Sequence, residues 1–437
     1  MSKGILRRVT IGLLVAVMAI LAVPAAQAAP PTPEEDPFYD YAGATPLAEI
    51  APGTVLKSRT LNYHVAGLPL PVKAVQLLYR TTSELGEPAV DVTSVLKPPL
   101  ALGTPQVVAY QSFYDSLSTE ADPSYAISGG LSLSGGIPQF ESSLIVPSLL
   151  AGRTVVVADT EGENADLAAG PEYGIDTLDS LKAALAAPAT GLSRARKIGL
   201  IGYSGGAIAT EWAAELAPSY APEVNAKLVG AAIGGVLVDP AHNLHYVDGS
   251  LSWAGVMPMA IIGVSRAFHI DLTPYLSEYG RQVFAKLERA TITEAIGQYP
   301  GLTWAQLAKP EYAVPEDIPI YVHTVNQLIM GTGGTPTAPL FIGQGALGEL
   351  EGTAGNKPGI GEGDGVMIAG DVRSLAREYC ERGDQVLYDQ YPLGHITAAA
   401  PWIAAAVPWL EARFAGAPAP QNCASIEPGN PLTPIAD

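Results

Sequence analysis

Lys197-Ile198-Gly199-Leu200-Ile201-Gly202-Tyr203-Ser204-Gly205-Gly206-Ala207 runs from apolar residues into Gly-x-Ser-x-Gly, and a helix-compatible segment over residues 207–216 follows at once. The order is strand, sharp turn, helix. Such a turn holds its serine in a strained backbone conformation with the hydroxyl pushed out above the sheet, so the residues beside it must be small. Gly202, Gly205 and Gly206 supply that room. In a chain with 46 glycines a bare five-residue pattern could be an ordinary Gly-rich loop. The strand before it and the helix after it make Ser204 a candidate nucleophile.

Outward from this turn the chain alternates strand and helix. Residues 106–110, Thr154–Ala158 and residues 198–201 are short and continuously apolar, as expected of parallel strands buried on both faces. A crossover helix is expected over residues 174–187. Further strands are expected at residues 228–233, 339–343 and Val386–Tyr391. Residues 372–381 read as a helix, and residues 398–414 as a closing helix interrupted by Pro401 and Pro408. Upstream, residues 74–82 and 89–97 are β-rich runs separated by Glu84-Leu85-Gly86-Glu87-Pro88, the pattern of an antiparallel hairpin. Together these give an α/β fold with a mostly parallel sheet flanked by helices. Residues 239–319 break the rhythm with helix-like pieces, an apolar patch at residues 253–262 and no clear strand. That segment reads as a mainly helical cap inserted over the strand ends.

A serine nucleophile needs a base, and the base needs a carboxylate to fix its tautomer. On this fold the order along the chain is serine, acid, histidine. Of the six histidines, His64 precedes Ser204, while His242, His245 and His269 lie in the insertion and His323 precedes the penultimate strand. His395 follows the last strand by a short loop, where the base belongs. The acid is expected between residue 343 and His395, among Glu349, Glu351, Glu362, Asp364 and Asp371. Asp364 is favoured, because one helix and one strand separate it from His395. Glu349, nearest the strand end, is the alternative.

Two other patterns carry less. Gly343-Gln344-Gly345-Ala346-Leu347-Gly348 is formally a dinucleotide-binding fingerprint, but the Gly- and Pro-rich residues after it cannot open the helix that motif requires. His242 and His245 could share a helix face, yet no third ligand is evident. No metal site and no cofactor are expected.

Composition narrows the function class. The chain has 437 residues, a formal charge of −19 and only 15% charged residues. So negative a chain is a poor partner for nucleic acid or an anionic membrane surface. Lys3, Arg7 and Arg8, the apolar residues 9–23 and Ala26-Gln27-Ala28 form a secretory signal with a small-x-small cleavage site. Its apolar run is broken by Pro24 and is too short to span a bilayer. The expected organisation is a signal peptide over residues 1–28, then one hydrolase-type domain over residues 29–437 with the cap at about 239–319, in a secreted, extracellular protein. In that compartment Cys380 and Cys423, the two cysteines of the chain, are expected to pair. Such a loop is worth about 4 kcal/mol in the chain-entropy model.

Several segments in order extend the match: Asp36-Pro37-Phe38-Tyr39, Gln76-Leu77-Leu78-Tyr79-Arg80-Thr81-Thr82, Tyr114-Asp115-Ser116, Pro123-Ser124-Tyr125, Gly202-Tyr203-Ser204-Gly205-Gly206-Ala207 and Pro218-Ser219-Tyr220-Ala221-Pro222. With them the chain resembles the secretory lipase family, the fungal lipase A type of α/β-hydrolase, which also has actinobacterial members. The resemblance spans roughly residues 36–423. It implies Ser204 as nucleophile, with Gly205 and Asp115 forming the oxyanion hole, through either the side chain or the backbone of Asp115. It also matches Cys380 and Cys423 to a family disulfide. The family's second disulfide has no counterpart, and the acid loop here is unusually Gly-rich.

The combined expectation is an exported serine carboxylic-ester hydrolase with the triad Ser204, His395 and Asp364. It would cleave triacylglycerols or other acyl esters at a lipid–water interface, without an integral membrane segment. A short-chain esterase or another serine hydrolase on the same fold shares every catalytic residue. A non-catalytic, hydrolase-like binding protein is the remoter alternative.

Overall fold

The computed structural model describes residues 29–101, 103–132 and 135–436, so the expected signal segment lies outside the described residues. Nine strands form one sheet in the order β1-β2-β3-β5-β4-β6-β7-β8-β9. The strands are β1 (Val55–Val65), β2 (Leu68–Thr82), β3 (Pro88–Leu96), β4 (Gln106–Gln111), β5 (Thr154–Ala158), β6 (Lys197–Tyr203), β7 (Leu228–Gly234), β8 (Leu340–Gly345) and β9 (Val386–Tyr391). From β5 to β9 all neighbours are parallel, while β1, β2 and β3 pair antiparallel and β3 joins β5 antiparallel. The expected hairpin is β2 and β3. Its partner β1 was not legible, because its alternating exposed and half-buried residues lack a strong apolar pattern.

The parallel strands read as continuous apolar runs because both of their faces are covered. Val107, Ala109, Val156, Ile198 and Leu200 pack on one side against the helices Gly170–Ala186, Gly205–Tyr220 and Ala369–Glu381. Val108, Val155, Val157 and Ile201 point the other way, toward the helices Gly136–Leu150 and His395–Phe414. Successive residues of one strand thus serve opposite cores, as the two-residue strand period requires. The crossover helix starts at Gly170, four residues earlier than expected.

The closing helix corrects its expectation. It begins at His395 and runs unbroken to Phe414, with Pro401 and Pro408 inside it. An internal proline costs about 3 kcal/mol through its lost hydrogen bond and ring clash. Trp402 and Trp409, each one residue beyond a proline, are buried against β7 and β8 and hold the helix to the sheet despite that cost.

Residues 239–319, between β7 and β8, contain the helices Pro240–Val247, Val256–Ala267 and Glu278–Leu287, with shorter turns. Among the described residues, strand-type pairing there is limited to isolated bridges, Leu276 with Ala308 and Thr291 with Ser116. The segment has its own core, including Trp253, Met257, Phe284 and Leu307. A further helix, Pro319–Gln327, continues past the expected end before β8 begins. At the other end of the chain, Cys380 and Cys423 are disulfide-bonded, with Cα atoms 5.7 Å apart. The tail they fix packs along the helix Ala369–Glu381, where Arg377 and Ser374 donate to the carbonyls of Ile426 and Asn430.

Several carboxyls are buried, on β3, just beyond β5, before the short helix Pro123–Ile127 and on the helix Gly170–Ala186. Asp91, Asp122, Asp159, Asp176 and Glu172 are all at most 5% exposed, and burial, reinforced by neighbouring acids for most of them, pushes their pKa values up. Burial likewise raises Glu141 and Asp166 to about 7. In an unfolded chain such groups titrate near about 4. Between those values the folded state binds more protons than the unfolded one, so stability falls as pH rises. Thermal melts across pH 4.5 to 9 should therefore show the highest Tm at the acid end, falling by about 5 °C or more through neutrality. A Tm that is flat or rises with pH would contradict this protonation of the buried acids.

Candidate active site

Ser204 sits between β6 and the helix Gly205–Tyr220 with φ 55° and ψ −124°, a region a non-glycine residue occupies at a cost of about 1–3 kcal/mol. The turn is possible because its neighbours are bare. A Cβ on Gly202 would lie 2.0 Å from the Gly206 carbonyl oxygen, and one on Gly206 would lie 2.2 Å from that of Gln111. The Ser204 N–H donates to the Gly234 carbonyl at 2.8 Å, pinning the turn to the end of β7.

The other expected residues come to the same carboxyl edge of the sheet. His395 opens its helix after the short loop that follows β9, and its Nε2 lies 2.8 Å from Ser204 Oγ. Its Nδ1 lies 2.8 Å from Asp364 Oδ2. The remaining capacity of Asp364 is filled as well. Gln344 Nε2 donates to Oδ2 at 2.8 Å, and the N–H groups of Val366 and Met367 donate to Oδ1 at 3.1 and 2.7 Å. His395 N–H also donates to the Asp364 carbonyl at 2.7 Å. Asp364 is fully buried and His395 is 4% exposed. Burial works against the imidazolium, but the adjacent Asp364 carboxylate outweighs it, with Glu351 and Asp115 adding to it, so the His395 pKa lies above the usual histidine value.

Two of the competing acids are engaged elsewhere. Glu349 accepts the Gly355 N–H within its own loop. Asp371 pairs with His242 at 3.1 Å, while His245 pairs with Glu316. His242 and His245 thus face different carboxylates, and among the described residues no group of three or more His, Cys, Asp or Glu is placed to hold a metal ion. The glycine-rich motif at residues 343–348 leads from β8 into the short 3-10 turn Gly348–Glu351.

Asp115 follows β4 with φ 37°, and the Gly205 N–H donates to its carboxyl. The approach is so close that a Cβ on Gly205 would lie 1.9 Å from Asp115 Oδ1. Burial raises the Asp115 pKa to about 6, against the lowering effect of His395 and of that N–H. Its backbone is held from the inserted segment: Ile292 N–H donates to the Asp115 carbonyl and Leu117 N–H to that of Ala290, both at 2.9 Å.

The contacts of four residues beside the site were not legible in the sequence. Gln344 supports Asp364, and Tyr203 donates its hydroxyl to the His395 carbonyl at 2.5 Å. Trp253 meets the His395 ring edge-on, centroids 5.4 Å apart, and its Nε1 donates to Glu351 at 2.9 Å. Glu351 was weighed as an acid and instead touches the helix that carries the histidine. A polar glutamine ending the apolar run Leu340-Phe341-Ile342-Gly343 was the one available signal.

A serine turn, a histidine after the last strand and a buried acid between them, all on the carboxyl edge of this sheet, define an α/β-hydrolase site. The Secretory lipase family profile matches residues 129–358. A probable inactive lipase of Mycobacterium tuberculosis is 32% identical over 89% of this chain and 84% of its own length. Lipase 1 of Candida albicans is 29% identical over 90% of this chain and 83% of its own. Among solved structures, Candida antarctica lipase A in its closed state superposes with a TM-score of 0.77 at 27% identity, covering 94% of this chain and 93% of that one. The chain belongs to the secretory lipase family.

Asp364→Asn should lose about 10²–10⁴-fold in turnover without unfolding, since an amide favours the wrong imidazole tautomer. Glu349→Gln should lose far less. Steady-state kinetics on the two purified variants, each with a melting curve, check this, and the opposite ranking would make Glu349 the acid.

Proposed function

We propose that this protein is an exported serine carboxylic-ester hydrolase that cleaves acyl esters, triacylglycerols above all. Ser204 Oγ attacks the ester carbonyl while His395 Nε2 takes its proton. Asp364 holds the Nδ1–H tautomer and stabilises the imidazolium that forms. The tetrahedral oxyanion is met by the Gly205 N–H and by Asp115. Below about 6 the Asp115 carboxyl carries a proton to donate; above that value its backbone N–H is the donor left to it. One such donor is worth about 3–4 kcal/mol. Collapse of the intermediate sends the proton from His395 to the leaving alcohol and leaves an acyl group on Ser204. Water, deprotonated by the same histidine, then releases the acid.

The observation that carries the acyl-ester reading is a cavity of about 180 Å³ that starts at Ser204 and Gly205 and runs into the inserted segment among Leu244, Met257, Val264, Ile318 and Leu328. Its walls are almost wholly apolar. An alkyl chain loses nothing there, whereas peptide amides would be buried without partners at about 1–3 kcal/mol each. Most of this lining comes from residues 239–319, which supports their role as a cap that binds the acyl chain and controls access. The family's name supports export, as does the signal pattern in residues 1–28. No helix among the described residues is long and apolar enough to cross a membrane. The acidic charge fits a neutral lipid surface. A relative named as inactive raises the question of whether this chain is active; Ser204, His395 and Asp364 lie within hydrogen-bonding reach of one another, which supports activity.

Filling the cavity separates a lipase from a short-chain esterase. Met257→Trp should lower kcat/KM for p-nitrophenyl laurate about tenfold or more, while acetate hydrolysis stays within about twofold. Equal losses on both esters, or a wild-type preference for acetate, would overturn the long-chain reading.

A further inference from the structure

Glu351 stands at the junction of three parts of the molecule. It ends the 3-10 turn that follows β8, and its two carboxylate oxygens face different partners. Oε1 accepts the Ile396 N–H at 2.8 Å, and Oε2 accepts the Trp253 Nε1–H at 2.9 Å. Ile396 is the second residue of the helix that His395 opens, and the residue before that helix, Gly394, offers no side-chain cap. Trp253 belongs to the inserted segment and packs edge-on against the His395 ring. The fit is tight, because a Cβ on Gly394 would lie 2.4 Å from Glu351 Oε1.

We propose that Glu351 is a positioning residue for the reaction: its carboxylate ties the first turn of the histidine's helix to Trp253 of the inserted segment, and so fixes the His395 ring between Ser204 and Asp364. The proposal rests on the triad reading above. A carboxylate at a helix N-terminus is favoured by the partial positive charge of the unpaired N–H groups there. Here it satisfies one of those groups and simultaneously orients an aromatic ring that bounds the imidazole. The charged and titratable groups facing His395 are Asp364, Glu351 and Asp115, with Tyr203 in ring contact. Those facing Glu351 are His395 and Asp364, with Tyr203 and Tyr246 close enough to feel its charge. Both Glu351 and Asp364 favour the protonated imidazole. Glu351 therefore has two separable effects, one from its contacts and one from its charge.

Two substitutions separate them. Glu351→Gln removes the charge and can accept only one of the two N–H groups. It should lower kcat about tenfold or more with little change in KM, because small misplacements of a catalytic group are costly. It should also move the acid limb of the kcat/KM profile to lower pH, since that limb reports the base in the free enzyme. Glu351→Asp keeps the charge but shortens the arm, so kcat should fall while the acid limb stays in place. Ser204→Ala, measured alongside, isolates the triad reading: activity surviving in that variant would remove the reading itself. With Ser204→Ala inactive, a Glu351→Gln enzyme with wild-type kcat, or one that loses kcat with its acid limb unmoved, would overturn the positioning role. Should Glu351→Gln fail to fold, Glu351→Asp decides, with a loss in kcat at constant KM supporting the proposal and wild-type kcat overturning it.

Discussion

The backbone of Ser204 is the constraint on which the rest of the site depends. A serine at φ 55° is held there only if the surrounding structure outweighs the strain. Three things do so: the apolar strand β6 locked between β4 and β7, the hydrogen bond from Ser204 N–H to Gly234, and the helix that begins at Gly205. Each demands particular residues. Gly202 lets the strand end close on the Gly206 carbonyl, Gly206 lets the turn close against Gln111, and Gly205 lets Asp115 approach the first N–H of the helix. The loop carrying Asp115 and the serine turn are therefore one packed unit.

The inserted segment reaches both Asp115 and His395. Ile292 holds the Asp115 carbonyl, and Trp253 reaches Glu351 and the edge of His395. A segment that lines the apolar cavity thus also touches both Asp115 and His395. Any rearrangement of the segment would therefore be felt at Asp115 and His395.

Much of the fold was legible because parallel strands covered on both faces must be continuously apolar, and residues 106–110, 154–158 and 198–201 are. The strand β1 was hidden because a half-exposed edge strand alternates weakly. The closing helix was misjudged for a different reason: local propensity places breaks at Pro401 and Pro408, and the burial of Trp402 and Trp409 overrides them. Chain order singled out Ser204 and His395 and left several acids, Asp364 favoured and Glu349 the alternative; the fold brings Ser204, His395 and Asp364 into one hydrogen-bonded row. Gln344, Tyr203, Trp253 and Glu351 could not be found that way. Tyr203 precedes Ser204 in the chain, but its hydrogen bond to the His395 carbonyl, like the contacts of Gln344 with Asp364, Trp253 with His395 and Glu351 with Ile396, comes only from the fold, and Glu351 stood in sequence as one of the less favoured acids of a Gly-rich loop.

An activated serine at the turn has a chemical signature independent of the natural substrate. Ser204 Oγ, deprotonated by His395, should displace fluoride from a fluorophosphonate and leave a phosphonyl ester on that oxygen alone. Mass spectrometry of the labelled, digested protein is expected to find the adduct on the peptide carrying Ser204 and to find none in Ser204→Ala. Labelling at another residue, or equal labelling of the Ser204→Ala variant, would contradict the account.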